Sequence, residues 1–587
     1  MLNFIIGRNN SGKTEKIRAL IAERASENKK CILIVPEQFS FESERSILEK
    51  IGAQKMLNVD ILSFTRLAFV INEQYGKALN KTIDDGTRKV LMSLSLEALS
   101  GKLEYFKRFS SKPALLSNLL TFVTELKQCA VTPDEIAEIS GKTGNKSLGK
   151  KLSELSLIAA SYDALVSRSF FDDENLLTIA ADMISETDFF DGKAVYFDAF
   201  CGFTKQERNC IKSILPKAEN VFISLCTDRD LSREGVSVFE NVNSEFSHLK
   251  ECAAEQNVGV SSPEILNVKE DGRSPELVYL EKYLCGEESE PYKEECDNIV
   301  VCAAGNRADE ADFVACEIKK LLRCNPTLRC RNIAVIERTA GTYDKELSES
   351  FKKYGVPMFE DKRRPIGIQP VMVFVKCLLA LCAEGFSTES FMRLLKTGLT
   401  ALSGDEISEL ENYAFLWNID GSKWRRDFTE NPDGLGFDVT EKSQAKLIRL
   451  NDIRKRSVLP VLAFKKDFEE ADGEKKSRLI YEFLIKNGVT ERLREKIEYL
   501  VSSGDTVLCE EQDTVWATLM DMLGKMASAI GETVITAKRY SELFNILLSA
   551  VTLGSLPQEL DSVTVGAADR IRAVSYTQLT LPTNSLV

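Results

Sequence analysis

Gly7-Arg8-Asn9-Asn10-Ser11-Gly12-Lys13-Thr14 has the spacing G-x-x-x-x-G-K-[S/T], a pattern suited to holding the phosphates of a nucleotide. Glycines let the backbone curl until successive N–H groups point inward at phosphate oxygens. The N-terminus of a following helix adds the positive end of its dipole. In such a loop Lys13 would reach the β- and γ-phosphates of ATP, and the Thr14 hydroxyl would ligate Mg2+. The magnesium shell also needs an acid at the end of a neighbouring strand, and Ala194-Val195-Tyr196-Phe197-Asp198 supplies Asp198. The competing reading of Asp198 is an ordinary turn residue.

These groups need strands and helices to position them, and the pattern around them provides both. Leu2–Ile6 reads as a short apolar strand, followed by a helix with Ile17, Leu20 and Ile21 on one face. Cys31–Val35 and Val59–Phe64 read as two more strands, and this alternation implies parallel strands with crossover helices. From about 75 to 185 the pattern is helical, as in Leu115–Leu126 and Leu152–Leu165, before Ala194–Asp198 and Val221–Leu225 return to strand. A second α/β region is expected to begin with a strand at Ile299–Cys302 and a helix carrying Ala311, Val314, Ala315 and Ile318 on one face. The strand Ile333–Ile336 and a helix bearing Leu347, Phe351 and Tyr354 follow.

The composition narrows the classes. Of 587 residues 44% are hydrophobic and 28% charged, which is globular and long enough for several domains. No apolar run approaches the roughly 20 residues of a membrane span, and the first residues carry no basic leader. Fifteen scattered cysteines without a CxxC pair suit reduced thiols in a cytoplasmic protein. The single histidine, His248, argues against histidine metal sites and triads. A net charge of −13 gives no support for DNA binding, which must come from motifs.

Such motifs are present. Val35-Pro36-Glu37-Gln38-Phe39-Ser40-Phe41-Glu42-Ser43-Glu44-Arg45 closely resembles the AddB family, which also has its phosphate loop at the extreme N-terminus. Val59–Ala68 is similar to the single-strand-contacting motif Ia of superfamily 1 helicases, and Tyr196–Glu207 to the family's degenerate second helicase motif. Ile333–Arg338, Tyr354–Pro357 and Val563–Arg570 continue the resemblance in family order to about residue 572. A helicase would follow Asp198 with a water-polarising glutamate; this chain has Ala199, so the pocket is expected to turn ATP over slowly.

The resemblance implies an α/β fold of P-loop NTPase type, with superfamily 1 helicase-like lobes, parallel sheets and large helical insertions. The implied first lobe is 1–75 with 190–260, carrying a helical insertion at 76–189. A linker at 261–297 leads to an incomplete second lobe, 298–385 with 551–572, whose helical insertion is 386–550. It implies ATP with Mg2+ at Gly7, Arg8, Asn9, Asn10, Ser11, Gly12, Lys13, Thr14 and Asp198, and contact of Arg338 with the nucleotide. Phe64, Thr65 and Arg66 are the candidates for DNA. Phe39, Phe41, Phe64 and Phe203 could stack on single-stranded bases, although core packing beside strands is the favoured reading. Lys362-Arg363-Arg364 is a basic turn that could meet a DNA backbone, and a solvated turn explains it equally well.

The role implied is a subunit of an ATP-dependent helicase–nuclease that processes broken DNA with an AddA-type partner and no membrane. The alternative is a catalytically inactive, helicase-shaped DNA-scanning scaffold. A small-molecule kinase with the same loop leaves the helical insertions unexplained. No acidic–acidic–lysine nuclease motif and no iron–sulfur cysteine set is found in the sequence, so both are expected only in a C-terminal part beyond it. The stretch 573–587 contains no charged residue, and Pro582 would break a central strand. It is expected to be foreign to the family and outside the packed fold.

Overall fold

In the computed structural model the residues described are 1–76, 83–107, 112–169, 173–227, 238–267, 274–284, 290–339, 341–359, 364–502, 506–553, 561–567 and 577–581. The N-terminal sheet has six strands: β1 (Leu2–Gly7), β2 (Cys31–Ile34), β3 (Val59–Leu62), β4 (Ala194–Phe197), β5 (Asn220–Cys226) and β6 (Glu264–Ile265). Their order is β3-β2-β4-β5-β1-β6, and every pairing is parallel. Leu2, Phe4 and Ile6 face one apolar cluster while Ile5 faces another, so both surfaces of the sheet are covered. That is why these strands read as unbroken apolar runs.

The second sheet contains β7 (Ile333–Glu337) and β8 (Met358–Phe359). Two short strands, β9 (Arg364–Pro365) and β10 (Thr552–Leu553), pair antiparallel by themselves. The second sheet is completed by β11 (Val563–Ala567) and β12 (Thr577–Leu581), in the order β12-β7-β11-β8, again parallel. The helix Arg307–Cys324 buries Ala311, Val314, Ala315 and Ile318 against this sheet, the face its 3.6-residue period specifies.

Four expectations are corrected. Ile299–Cys302 is not a strand: Val300 and Val301 are exposed, Val301 at 93%. Both edges of β7 are already taken by β11 and β12, so this β-branched run has no ladder to join there. Conversely, part of the charge-free stretch at the end of the chain enters the fold, because Thr577–Leu581 pairs along the whole of β7. Lack of charge is compatible with a strand, whose backbone supplies the bonding. The third strand stops at Leu62, where the Ser63 side chain accepts from the Arg66 N–H and starts the helix Phe64–Tyr75. The segment expected as linker supplies β6, with Leu266 N–H donating to Ile6 O at 2.7 Å, and the helix Pro275–Leu284.

The two helical regions form one body. A single hydrophobic cluster runs from Ile83 through Val166 and from Ile366 to Leu548. The helix Asp85–Ala98 packs so closely on Ala537–Ala550 that a Cβ on Gly86 would stand 2.5 Å from Leu547. Arg539 bonds Glu97 and Ser93, and Lys525 bonds Asp84 at 2.7 Å across the same seam. No described helix is long and apolar enough to cross a membrane.

Candidate phosphate-binding site

The loop Gly7–Thr14 leaves the carboxyl end of β1 and enters the helix Lys13–Ser26. Gly12 stands at the helix start with φ 88°, a left-handed conformation that glycine adopts without penalty, and it brings no side chain to cap the helix. Asn10 is also left-handed, φ 58°, at the exposed tip with Asn9. A Cβ on Gly7 would lie 2.4 Å from Ser11 Oγ and 2.8 Å from Leu266 O, so only glycine fits.

Inside this curl the Ser11 side chain is buried, at 3% exposure, and its hydroxyl has no hydrogen-bond partner. A buried unpaired hydroxyl costs free energy unless something else satisfies it. Lys13 folds back over the loop, its Nζ donating to Gly7 O at 2.8 Å and Arg8 O at 2.7 Å. Burial raises the Cys226 thiol pKa, with Lys13 beside it pulling the other way. Cys226 is the register partner of Gly7. Arg8 lies over the Phe239 ring at 5.7 Å, and Lys16 pairs with Glu264 at 2.7 Å. A cradle closed to any Cβ, an orphaned hydroxyl and a lysine on the loop carbonyls fit phosphate oxygens.

Asp198 follows β4 at the same carboxyl edge, but β5 separates β4 from β1, so the acid is not on the neighbouring strand as expected. Two strand spacings put Asp198 about 10 Å across the sheet from the loop. It is 4% exposed, and its Oδ1 accepts from Ser224 Oγ at 2.5 Å. At that range it suits the outer shell of a cation better than direct ligation. Ala199 is left-handed, φ 67°. The next glutamate in the chain, Glu207, caps its own helix by accepting from Thr204 N–H at 2.7 Å, and burial raises its pKa.

Of the DNA candidates, Phe64 is buried, its ring packed against Phe197, Phe200 and Phe203 with centroids 5.5–6.1 Å away. Phe203 belongs to the same group, and Phe39 packs on the cluster at the opposite face of the sheet. Thr65 and Arg66 are exposed on the first turn of their helix, with Arg66 3.5 Å from Glu44. Arg338 is exposed at the end of β7 in the second sheet, away from the loop strand by topology. His248 is exposed. The basic turn falls in part outside the described residues, as does the Phe41 side chain.

A feature missed by sequence reading lies beyond β7. Glu337, 2% exposed, turns its carboxylate onto the backbone N–H groups of Gly341 at 2.8 Å and Tyr343 at 3.3 Å. It thereby occupies the start of the helix Asp344–Tyr354. Tyr343 donates to Glu310 at 2.8 Å, and burial followed by that bond pushes its phenol up to about 12.

Residues 4–281 match the family described as ADDB, N-terminal. Similar curated proteins each bear the name of the B-type chain of an ATP-dependent helicase/deoxyribonuclease. The one from Acetivibrio thermocellus is 29% identical over 97% of this chain and 51% of its own length. That from Clostridium acetobutylicum is 29% identical over 97% of this chain and 50% of its own. The chain thus spans about half the length of these relatives.

Proposed function

We propose, for a chain that belongs to the AddB family, that it acts in an ATP-dependent helicase–nuclease of DNA double-strand break repair and recombination. In this reading it binds ATP with Mg2+ through Gly7–Thr14 and Asp198. Single-stranded DNA is held from the exposed turn carrying Thr65 and Arg66, and an AddA-type helicase subunit is the cytoplasmic partner. The observation that carries it is the phosphate cradle, with Ser11 Oγ unpartnered and no room for a Cβ at Gly7.

The magnesium ion would supply charge neutralisation at the phosphates; Thr14 would ligate it and Asp198 would stand in its outer shell. Lys13 would exchange its two loop carbonyls for phosphate oxygens, which are stronger, charged partners. Replacing Lys13 by Ala removes that ammonium and is expected to abolish binding of a fluorescent ATP analogue. Unchanged affinity in Lys13→Ala would refute the site.

The second reading, a helicase-shaped scaffold with little turnover of its own, is favoured by Ala199. With Glu207 committed to a helix cap, Asp198 has no nearby sequence neighbour to polarise water. Absence of a general base costs about 10²–10⁴ in rate. Hydrolysis by this chain is therefore expected near background with or without single-stranded DNA, and turnover of several per second would exclude the scaffold reading.

A further inference from the structure

A thiol stands inside the phosphate-binding site, and nothing in the proposed function uses it. β5 lies between β1, which carries the loop, and β4, which ends at Asp198. Side chains alternate between the two faces of a strand, and register partners in a parallel ladder share a face. On β5, Val221, Ile223 and Leu225 enter one apolar cluster and Phe222 the other. Ser224 and Cys226 therefore fall on the Phe222 side. Ile5 of β1 and Tyr196 of β4 pack into that same cluster, together with Ile17 and Ile21 of the helix Lys13–Ser26. The face of the sheet beneath the loop's own helix thus carries Gly7, Cys226, Ser224 and Asp198 in a row across three strands.

The contacts agree with that placement. Ser224 Oγ donates to Asp198 Oδ1 at 2.5 Å. Cys226 is the register partner of Gly7, and a Cβ on Gly7 would point at the buried, unpartnered Ser11 hydroxyl, 2.4 Å away. The Lys13 ammonium donates to Gly7 O and Arg8 O and also bonds the Cys226 side chain. Cys226 is only partly buried, unlike Cys31 and Cys210, which are sealed in the cores on either side of the sheet. A small reagent that enters the phosphate site therefore meets this sulfur. The thiolate is the nucleophile in disulfide exchange, and a neighbouring ammonium favours it. Burial raises the thiol's pKa, and Lys13 opposes that rise.

We infer that Cys226 is a modification site, at which a low-molecular-weight disulfide closes the phosphate loop to nucleotide. The Cys226 thiolate attacks one sulfur of R–S–S–R. The reagent's S–S bond breaks, a Cys226–S–S–R bond forms, and R–S⁻ leaves to take up the proton that Cys226 released. Cys226 is oxidised and the reagent reduced, and excess thiol reverses the exchange. The added group stands beside Ser11 and Lys13, where the nucleotide reading proposed above, on which this inference rests, puts phosphate oxygens. The test treats the full chain with glutathione disulfide and reads each cysteine by mass spectrometry of its peptide, with the exposed Cys129 as internal reference. ATP·Mg at about 100 times its Kd leaves roughly one site in a hundred empty, so modification of Cys226 should slow about a hundredfold while that of Cys129 is unchanged. Chain modified at Cys226 should lose binding of a fluorescent ATP analogue, and dithiothreitol should restore it. In Cys226→Ser the same treatment should leave that variant's own affinity where it was. Protection is read on the parent chain, so it does not depend on how the variant folds. Cys226 that does not react, or reacts at one rate with and without bound ATP·Mg, overturns the inference and leaves nucleotide binding intact. So does an affinity that treatment lowers as much in Cys226→Ser as in the parent. A parent chain that binds no analogue overturns both readings.

Discussion

Two loops in this molecule leave a parallel strand and start a helix, yet they treat the helix start in opposite ways. After β1 the loop leaves polar capacity open: glycines at 7 and 12, a buried Ser11 hydroxyl with no partner and Lys13 resting on carbonyls. After β7 the corresponding position is filled by the protein's own carboxylate, Glu337, on the N–H groups of Gly341 and Tyr343. Backbone N–H groups at a helix start favour an anion wherever they occur. What differs is who provides it. The second loop is satisfied internally and contributes to stability; the first leaves polar capacity unmet, which suits a ligand.

The comparison breaks most directly at Gly7. Gly7→Ala forces a Cβ to 2.4 Å from Ser11 Oγ, so nucleotide-analogue binding should vanish and the melting temperature should fall. Gly341→Ala, whose Cβ would meet nothing closer than 3.7 Å but whose φ is 88°, should lower stability alone. Loss of analogue binding in Gly341→Ala would join the two loops in one site. Next in size, Glu337→Ala should cost about 1–3 kcal/mol in denaturant unfolding, since it strands buried N–H donors. Analogue affinity should stay at the parent value in titration. Ser11→Ala reverses that pattern: unfolding should change by no more than about 0.5 kcal/mol, because the hydroxyl bonds nothing, while analogue affinity falls. A Ser11→Ala chain as unstable as Glu337→Ala would show that the hydroxyl is satisfied in the folded state. Arg338→Ala should have the smallest effect, a weaker loss of affinity than Ser11→Ala, because its side chain is exposed at the other sheet.

The first loop was legible in the sequence and the second was not. G-x-x-x-x-G-K-[S/T] is local, and each residue's duty follows from its chemistry at that spacing. Glu337 acts through amides four and six residues on, in a turn no spacing rule flags. Asp198 illustrates the division within one site: the apolar run ending in an acid was readable, but the placement of β5 between it and β1 was not. The helix faces Ala311/Val314/Ala315/Ile318 and Leu347/Phe351 were readable for the same local reason, since burial repeats with the helical turn.

What the sequence determined by itself was therefore the glycine turn between β1 and its helix, the alternation of strands and helices, and which helix faces turn inward, because those properties need only near neighbours. Tertiary structure alone decided three things. Phe64 is taken out of reach by Phe197, Phe200 and Phe203, which come from a segment more than a hundred residues away in sequence. Ile299–Cys302 stays outside the second sheet while Thr577–Leu581 enters it, because a strand exists only where a ladder edge is open to it. The two helical regions close over a single core, because each presents an apolar face that only the other is placed to cover.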